Sequence, residues 1–503
     1  MWNLGQFTYE NYVKSGFLPS TYTKMHSQVF AAGGYRTLIS ASAWAQVAFP
    51  ESYANGPNIP AAVFSVPEDQ DDLLEVRHAT CANRLAVDLN RFDHTTAKQM
   101  IHDNKAIIEK ISAACGFDLR HAPAVTDGEF SVMQAVKDVA DALTGDMLEG
   151  LPLISGITPE DRDEFIQLAE HIFHARHYGA HPAMPAYNSG NFPMKMLKTF
   201  DRRISYNANV TALEQFPDTP FAKQLAEEAE ESILAIVPPR RMFGFHAHRE
   251  LLYAMTKLLK LDFTVERPGV QKGLVHPSTG VFFELWRDKK RADELTGKAL
   301  KAGELPTLSA ERSRRRRYDS GIVDEAYYVR ALVWVPCWDE KGATVPFLGR
   351  DQTPFCPARV RMLEQCGQEF CPLPQFRSII QENLKAVGGD FKALCAEDVV
   401  AELQRELDVI LAAEAAELAN ANATEVATPK TVTAKVGEEK PKKKRFSKNR
   451  RSRGRNHGKN HGKDAHRSSG KGKKSHVSGA LQYLQYVEDN NNWARVAASH
   501  NMN

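Results

Sequence analysis

Three histidines near the end of one predicted helix have the most metal-like spacing in the chain. His171, His174 and His177 follow one another at steps of three residues, and His181 lies just beyond the expected helix end at Gly179. Imidazole nitrogens are common ligands of zinc and other divalent metals. Each step of three residues rotates a side chain by about 60° around a helix, so at most two of these histidines share a face comfortably. A third ligand would therefore have to come from elsewhere.

A structural explanation competes with the metal site. Histidines near the carboxyl end of a helix are stabilised by the partial negative charge of the last carbonyl groups. We therefore predict no cofactor, with zinc or another divalent metal at His171, His174 and His181 as the alternative. His246 and His248 alternate along an extended segment and could add a ligand.

Basic residues form a second set with obvious chemistry. Between Lys435 and His476 the chain has seventeen Lys or Arg and three acids, a net charge of +14, whereas the whole chain has a formal charge of +2. Such dense like charge repels itself unless phosphates or another acidic surface lie nearby. The pattern predicts binding to RNA or DNA, with RNA favoured. The predicted phosphate-binding residues here are Lys442, Lys443, Lys444, Arg445, Lys448, Arg450, Arg451, Arg453, Arg455, Lys459 and Lys463.

Four consecutive arginines give a smaller basic patch. They are Arg314, Arg315, Arg316 and Arg317. Guanidinium groups bind phosphate oxygens in a bidentate manner, so these residues could form a second nucleic-acid contact. The alternative is a solvated loop whose charge is neutralised by nearby acids such as Asp324.

The basic stretch has two further interpretations. Pro441–Arg445 resembles a monopartite nuclear import signal, a short pattern that also occurs by chance in basic tails. The stretch could also be a solubilising arm that contacts the acidic remainder of the chain. We expect an intracellular protein, with the nucleus or a virion as possible locations.

The cysteines predict a reducing compartment. Seven cysteines are an odd number, and their wide spacing is unlike a disulfide framework. Cys337, Cys356, Cys366 and Cys371 fall close together, but only the last two approach the spacing of a zinc knuckle. We predict buried free thiols.

Familiar catalytic and membrane patterns are absent from the sequence. There is no phosphate-binding loop, dinucleotide fingerprint, His-Glu-x-x-His motif or nucleophile elbow. No catalytic residue can be named on this basis, and a non-enzymatic protein is favoured. No stretch is apolar over eighteen residues, and Met1–Phe17 lacks a secretory pattern, so no membrane association is expected.

The elements that would position these residues suggest an α+β fold: a mainly helical body with a disordered basic C-terminal arm. Thr158, followed by Pro159, predicts a strong helix start, and Gly280–Trp286 and Tyr327–Pro336 read as strands. The expected regions are a mostly helical region 1–150, a helical region 151–262, an α+β region 263–395, an amphipathic helix 396–420, the basic arm 421–477 and a short amphipathic element 478–503.

Two of these regions suggest association. Val399–Leu418 has the periodicity of a helix that could form a short coiled coil or pack on its own domain. Ala480, Tyr483, Leu484 and Val487 have helical i, i+3, i+4, i+7 spacing, which suits docking on a partner, a neighbouring subunit or the same body. We expect a homo-oligomer, with a possible protein partner for 478–503.

An acidic body joined to a basic tail is the arrangement expected of a viral capsid or nucleocapsid protein. The sequence therefore predicts a nucleic-acid-binding protein with a self-associating body and a basic tail. A metal-dependent enzyme acting on nucleic acid is one alternative, and a cellular RNA-processing or chromatin-associated factor is another.

Overall fold

The computed structural model describes most of the body of the chain. The described residues are 1–54, 60–67, 70–74, 92–119, 132–179, 182–231, 239–261, 275–303, 321–395, 401–402, 404–413, 415–416 and the backbone of 483–487. By contacts, one compact unit comprises Met1–Ile410 with Ser478–Asn503, and a second comprises Leu411–Val477. The predicted basic arm 421–477 and the four arginines Arg314–Arg317 lie outside the described residues.

A mixed sheet of eight strands forms the centre of the larger unit. The strands are β1 (Ser27–Ala31), β2 (Val63–Phe64), β3 (Met242–His246), β4 (Gly280–Arg287), β5 (Tyr327–Trp334), β6 (Arg359–Arg361), β7 (Cys371–Pro372) and β8 (Tyr483–Val487). Their order across the sheet is β2-β1-β3-β8-β4-β5-β6, and β7 also pairs with β5. The strand from the far end of the chain therefore lies in the middle of the sheet.

Helices surround the sheet. They are α1 (Trp2–Thr8), α2 (Tyr35–Ala48), α3 (Glu51–Ala54), α4 (Lys98–Asp103), α5 (Lys105–Cys115), α6 (Val132–Leu148), α7 (Pro159–His174), α8 (Met184–Ser189), α9 (Phe192–Gln215), α10 (Pro220–Glu231), α11 (Arg249–Leu259), α12 (Lys289–Ala302), α13 (Leu373–Ala386) and α14 (Phe391–Leu394). Across the described ranges, no helix is both long enough and apolar enough to span a bilayer. Fold class is thus a mixture of helices and sheet, as the sequence predicted.

Two strand pairs fix the geometry of the sheet. β1 and β3 run parallel over five residue pairs, from Ser27 opposite Met242 to Ala31 opposite His246. Parallel neighbours need a long crossover connection, and the helices α2 to α10 lie between these strands in the sequence. β4 and β5 pair antiparallel over eight residues. The parallel pair brings two strand ends together at one edge.

Apolar side chains from both faces of the sheet form the core. Seven of the eight β4 residues are buried, as expected of a central strand covered on both faces. One cluster centres on Trp44 and Trp334, and a larger one includes Phe283 and Phe376. A third cluster joins α5, α6 and α7. Burial of these groups supplies the main driving force for the fold.

Local sequence signals were reliable guides to several elements. The Thr158 hydroxyl accepts a hydrogen bond from the Asp161 N–H at 3.2 Å, and the Asp161 side chain accepts one from the Thr158 N–H at 2.8 Å. This reciprocal cap starts α7 where the sequence predicted a helix. The two predicted strands appear as β4 and β5, and 404–413 is helical.

The C-terminal element contains a strand, although its apolar residues have helical spacing. Tyr483–Val487 is a strand rather than part of a helix. The spacing of its apolar residues favours a helix, but its backbone groups pair with those of β3 and β4 instead. Tertiary pairing overrides local periodicity here.

The predicted free thiols are also wrong. Cys337 and Cys356 form a disulfide with a Cα–Cα distance of 5.6 Å, and Cys366 and Cys371 form another at 5.8 Å. Each disulfide closes a short loop. The fold brings the two cysteines to bonding distance although their sequence spacing is unlike that of a disulfide framework. Cys115 remains a free cysteine. The cysteines therefore no longer support the prediction of a reducing compartment.

A candidate ligand site at the carboxyl edge of two parallel strands

The parallel strands β1 and β3 each lead through a short turn into a helix. After β1 come Ala32, Gly33 and Gly34, and α2 follows; after β3 come Ala247 and His248, and α11 follows. The Ala32 N–H donates to the His246 carbonyl oxygen at 2.9 Å, so the two turns leave the sheet at the same level. We call Ala32–Arg36 together with Ala247–Glu250 the carboxyl edge. Ligands of open α/β sheets commonly bind beyond the carboxyl ends of such strands.

Neither helix at the carboxyl edge is capped by a side chain. Gly34 is the N-cap of α2, with φ −67° and ψ 138°, and has no side chain to accept a hydrogen bond. His248 is the N-cap of α11, with φ −91° and ψ 162°, and its imidazole makes no capping hydrogen bond. The first N–H groups of a helix have no intrahelical acceptor and carry partial positive charge. Two such ends side by side favour an anion.

The turn before α2 is held in shape from within. The Thr37 hydroxyl lies 2.7 Å from the Ala32 carbonyl oxygen and 2.6 Å from that of Gly34. These contacts occupy carbonyl groups of the turn with a buried side chain. The neighbouring side chains face solvent, since Tyr35 is 77% exposed and Arg36 is exposed. The side chains of Tyr35 and Arg36 are therefore accessible to a ligand from solvent.

His246 lies beneath the carboxyl edge rather than in it. It is buried at the end of β3, and its ring centroid is 5.3 Å from that of Trp44. Burial lowers the pKa of His246 to about 3, so the imidazole is neutral at physiological pH. This residue therefore supports the edge as a neutral packed group.

Arg249 anchors the start of α11 to two helices of the third core cluster. Its guanidinium Nη1 lies 2.9 Å from Asp141 in α6 and 3.1 Å from Glu170 in α7. The same group lies 4.4 Å above the ring of Phe173. Burial acts against the charge, but Asp141 and Glu170 outweigh it and raise the pKa of Arg249. The position of α11, and hence of His248, depends on these contacts.

A buried carboxylate extends this contact set. Glu170 accepts a hydrogen bond from the Tyr253 hydroxyl at 2.9 Å. Burial raises the pKa of Glu170 more than the charge of Arg249 lowers it. Glu250 lies in the first turn of α11, and its buried Oε2 atom has no hydrogen-bond partner among the described residues. A carboxyl group therefore lies at the helix end that forms the carboxyl edge.

Of the predicted metal residues, only His171 and His174 fall within the described part of the chain. His171 is exposed. His174 has its ring centroid 4.5 Å from that of Tyr253, and its Nε2 atom lies 3.8 Å from Glu170. Burial lowers the pKa of His174. His181 lies outside the described residues, within which no group of three or more His, Cys, Asp or Glu side chains could hold a metal ion.

The predicted phosphate-binding residues cannot be placed in this site. Lys442 to Lys463 and Arg314 to Arg317 all lie outside the described residues. Asp324, expected to neutralise the arginine patch, is buried and accepts a hydrogen bond from Arg377 at 2.8 Å. The sequence offered His248 only as a possible further metal ligand and gave no sign that it lies beside Gly34. The available signal was a repeated strand, turn and helix pattern, but its two copies are far apart in the chain.

Comparison with known proteins gives matches only among solved structures. No protein-family model matches the chain, and no curated protein matches it. A phytase of Klebsiella sp ASR1 is 15% identical, with a TM-score of 0.42, over 76% of this chain and 82% of the phytase. A Hafnia alvei phytase in its apo form is 13% identical, with a TM-score of 0.42, over 76% and 85%. A Citrobacter braakii phytase is 11% identical, again with a TM-score of 0.42, over 76% and 86%.

These neighbours contradict the predicted role as a nucleic-acid-binding capsid or nucleocapsid protein. The three solved structures named above are phytases. The prediction was drawn from the charge of one segment, and charge alone shows which ions a segment attracts without showing what the folded body does.

Proposed function

We propose that the chain binds a phosphate monoester at the carboxyl edge. The observation that carries this proposal is the parallel pairing of β1 and β3, which brings the uncapped first turns of α2 and α11 to the same level. Phosphate oxygens accept hydrogen bonds from several donors at once, and helix N-termini supply such donors in a fixed direction.

Side chains at the edge add to this preference. Arg36 supplies a permanent positive charge in the first turn of α2, and His248 supplies an imidazole at the start of α11. Guanidinium groups bind phosphate through paired hydrogen bonds. A dianionic phosphate group therefore suits the edge better than a neutral ligand.

Substitution at Gly34 tests the proposal directly. Gly34→Asp should place a carboxylate at the N-cap of α2, where it accepts the first-turn N–H groups and repels phosphate. We expect the affinity for inorganic phosphate, measured by isothermal titration calorimetry, to fall at least about tenfold, equivalent to about 1.4 kcal/mol. The melting temperature should stay the same or rise.

Gly34→Asn is the matched control, since it caps the helix without a negative charge. It should bind phosphate more tightly than Gly34→Asp. Unchanged phosphate affinity in Gly34→Asp, or no binding by the unsubstituted chain at millimolar phosphate, would rule out the carboxyl edge as the site.

Hydrolysis of the bound ester is a second candidate function. The observation that favours it is the Glu250 carboxyl, whose Oε2 atom is buried without a hydrogen-bond partner among the described residues, two positions after His248. A carboxyl group at this helix end could protonate the departing alcohol as the ester bond breaks and water attacks phosphorus.

Two substrates with different leaving groups test this role. Glycerol 2-phosphate releases an alkoxide that needs a proton, whereas p-nitrophenyl phosphate releases a stable phenolate. Glu250→Gln should lower kcat for glycerol 2-phosphate by about 100-fold or more, and kcat for p-nitrophenyl phosphate much less. Equal losses for both substrates would argue against proton donation by Glu250. Absence of turnover in the unsubstituted chain would exclude hydrolysis but not phosphate binding.

A further inference from the structure

Five cations from three parts of the fold form a surface that we call the basic face. They are Lys195, Lys198 and Arg202 on α9, Lys24 in the turn before β1 and Arg240 directly before β3. Lys24, Lys198 and Arg202 are exposed, and the other two are half-buried. None of the five forms an ion pair with an acidic side chain of the described residues. The basic face therefore carries positive charge without acidic partners.

Contacts of Arg203 and Arg240 join the parts of the basic face. The Arg203 Nη2 atom donates to the Pro239 carbonyl oxygen at 3.0 Å, so the middle of α9 lies beside the start of β3. The Arg240 Nε atom donates to the Lys24 carbonyl oxygen at 2.9 Å, so the start of β3 also adjoins the turn before β1. The basic face thus extends from the amino ends of β1 and β3 to α9.

The cations of the basic face repel one another. Burial lowers the pKa of Lys195, and the charges of Arg202 and Lys198 lower it further, whereas Asp72 acts in the opposite direction. Burial also lowers the pKa of Arg240, and the charge of Arg202 adds to this, although a nearby tyrosine opposes it. Close like charges of this kind favour the binding of an anionic partner.

Two acids act on the basic face, and both have other partners. Asp201, on α9 beside Lys198, is bound to the Arg377 guanidinium group. The Asp72 carboxylate accepts a hydrogen bond from the Asn191 side chain at 2.8 Å. Neither acid forms an ion pair with a cation of the basic face in the described part of the chain, so the surface keeps its positive charge.

Two exposed methionines border the basic face. Met25 follows Lys24 and is 53% exposed, and Met194 near the start of α9 is 42% exposed. Met194, Lys198 and Arg202 follow one another at steps of four residues, so they form one exposed stripe of the helix. Scattered exposed apolar residues are common, but both of these adjoin unpaired cations. Binding to a bilayer interface gains from buried apolar area and from attraction of cations to anionic lipids together.

The arrangement of the cations favours lipid over a folded acidic partner. Anionic headgroups move within a leaflet and can meet cations at the spacing that the protein presents, whereas an acidic protein must match fixed positions on three elements. We propose that the basic face docks on an anionic phospholipid bilayer, with Met25 and Met194 entering the interface. The sequence predicted no membrane association because it has no long apolar stretch, but docking at the interface does not require one.

A dye at each methionine tests the docking. Bulk vesicle binding would not, because Lys435–His476 carries a net charge of +14 and attracts the same lipids. In the full-length chain, Cys115→Ser removes the free cysteine of the described residues, and Met25→Cys or Met194→Cys carries a nitrobenzoxadiazole dye. We expect the emission to shift to shorter wavelength on vesicles of phosphatidylserine and phosphatidylcholine, because the dye leaves water, and to stay unchanged on phosphatidylcholine alone.

Met362→Cys is the control for position. Met362 is 60% exposed and follows β6, at the opposite edge of the sheet from β2. A dye there should keep its emission even when other charges hold the chain on the vesicle. A shift as large as that at Met194 would mean that contact is not confined to the basic face, which contradicts the proposal.

Charge reversal tests the cations themselves. Lys198→Glu with Arg202→Glu should raise the lipid concentration that gives half of the Met25 response by about tenfold or more. Both side chains are exposed, so circular dichroism should show an unchanged fold. Lys298→Glu with Lys301→Glu makes the same change of charge at exposed positions of α12 and should leave the response unchanged. Equal losses for the two pairs would show attraction by overall charge instead of docking by this face.

Two further results would also overturn the proposal. Unchanged emission at both methionines, whether or not the chain sediments with the vesicles, would show that the basic face does not enter the interface. If poly-glutamate then binds the chain and the Lys198→Glu and Arg202→Glu pair weakens that binding, the partner is an acidic protein. An equal response to neutral and anionic vesicles would show that the cations do not select the surface.

Discussion

His246 and Arg249 are three positions apart, and the fold keeps His246 neutral but Arg249 charged. His246 is buried beside Trp44, and burial holds it neutral. Arg249 keeps its charge because Asp141 and Glu170 lie within 3.1 Å of its guanidinium group. A buried charge needs such partners, whereas a buried imidazole can lose its proton instead. The carboxyl edge therefore rests on one neutral and one paired side chain.

Acid should destabilise the protein through His246. The unfolded chain binds a proton on this residue near pH 6.5, whereas the folded chain does so only near its pKa of about 3. The unfolded state binds more protons between these values, so stability falls as the pH is lowered through this window. From pH 7 to pH 5 the loss from this residue should be about 2 kcal/mol.

Urea unfolding of His246→Gln, followed by circular dichroism at pH 7 and pH 5, measures this loss. The variant should lack the part of the acid sensitivity that His246 contributes. His102→Gln is the control, because that side chain is 80% exposed. If His246→Gln and the unsubstituted chain lose the same stability between the two pH values, the buried imidazole is not the cause.

At the scale of elements, α1 and α2 show how closely two helices can approach. A Cβ atom on Gly5 would lie 2.6 Å from the Trp44 carbonyl oxygen and 2.8 Å from the Val47 Cβ. The Trp44 indole N–H also donates to the Thr8 hydroxyl at 3.0 Å, which ties the helices together. The helices α1 and α2 can therefore pack this closely only because Gly5 has no side chain.

Gly5→Ala should destabilise the protein although alanine favours helices. The added methyl group meets backbone of α2, so the helices must separate, at a cost of about 1–3 kcal/mol. Gly145→Ala is a matched control in α6, where a Cβ atom would meet nothing within 4 Å. That control should be neutral or stabilise by up to about 1 kcal/mol. Thermal unfolding of both variants checks this; a stabilised Gly5→Ala would mean that the helices adjust without cost.

Elements with local signals could be predicted from the sequence, and the site could not. The Thr158 cap and the aromatic and β-branched residues of β4 and β5 act within a few residues of one another. The carboxyl edge depends on β1 and β3 being neighbours, although the helices α2 to α10 separate them in the sequence. The sequence also could not show that 483–487 forms a strand, because its pairing partners β3 and β4 lie far away in the chain.

At the scale of the whole molecule, charge and cysteine content were weak guides to function. The basic stretch Lys435–His476 dominated the prediction, yet it belongs to the second unit, and the carboxyl edge belongs to the first. The cysteines were also misjudged, because pairing such as Cys337–Cys356 depends on where loops meet in the fold. Composition constrains which partners a chain attracts more than what its folded body does.

The position of β8 also affects how the protein is made on the ribosome. Tyr483 follows Arg287, the last residue of β4, by 196 residues. At translation rates of about 5–20 residues per second, β3 and β4 are synthesised roughly 10–40 s before the strand that joins them. During that interval the nascent chain presents unpaired strand edges to its surroundings. We therefore expect the edges of β3 and β4 that pair with β8 to need shielding until translation reaches β8.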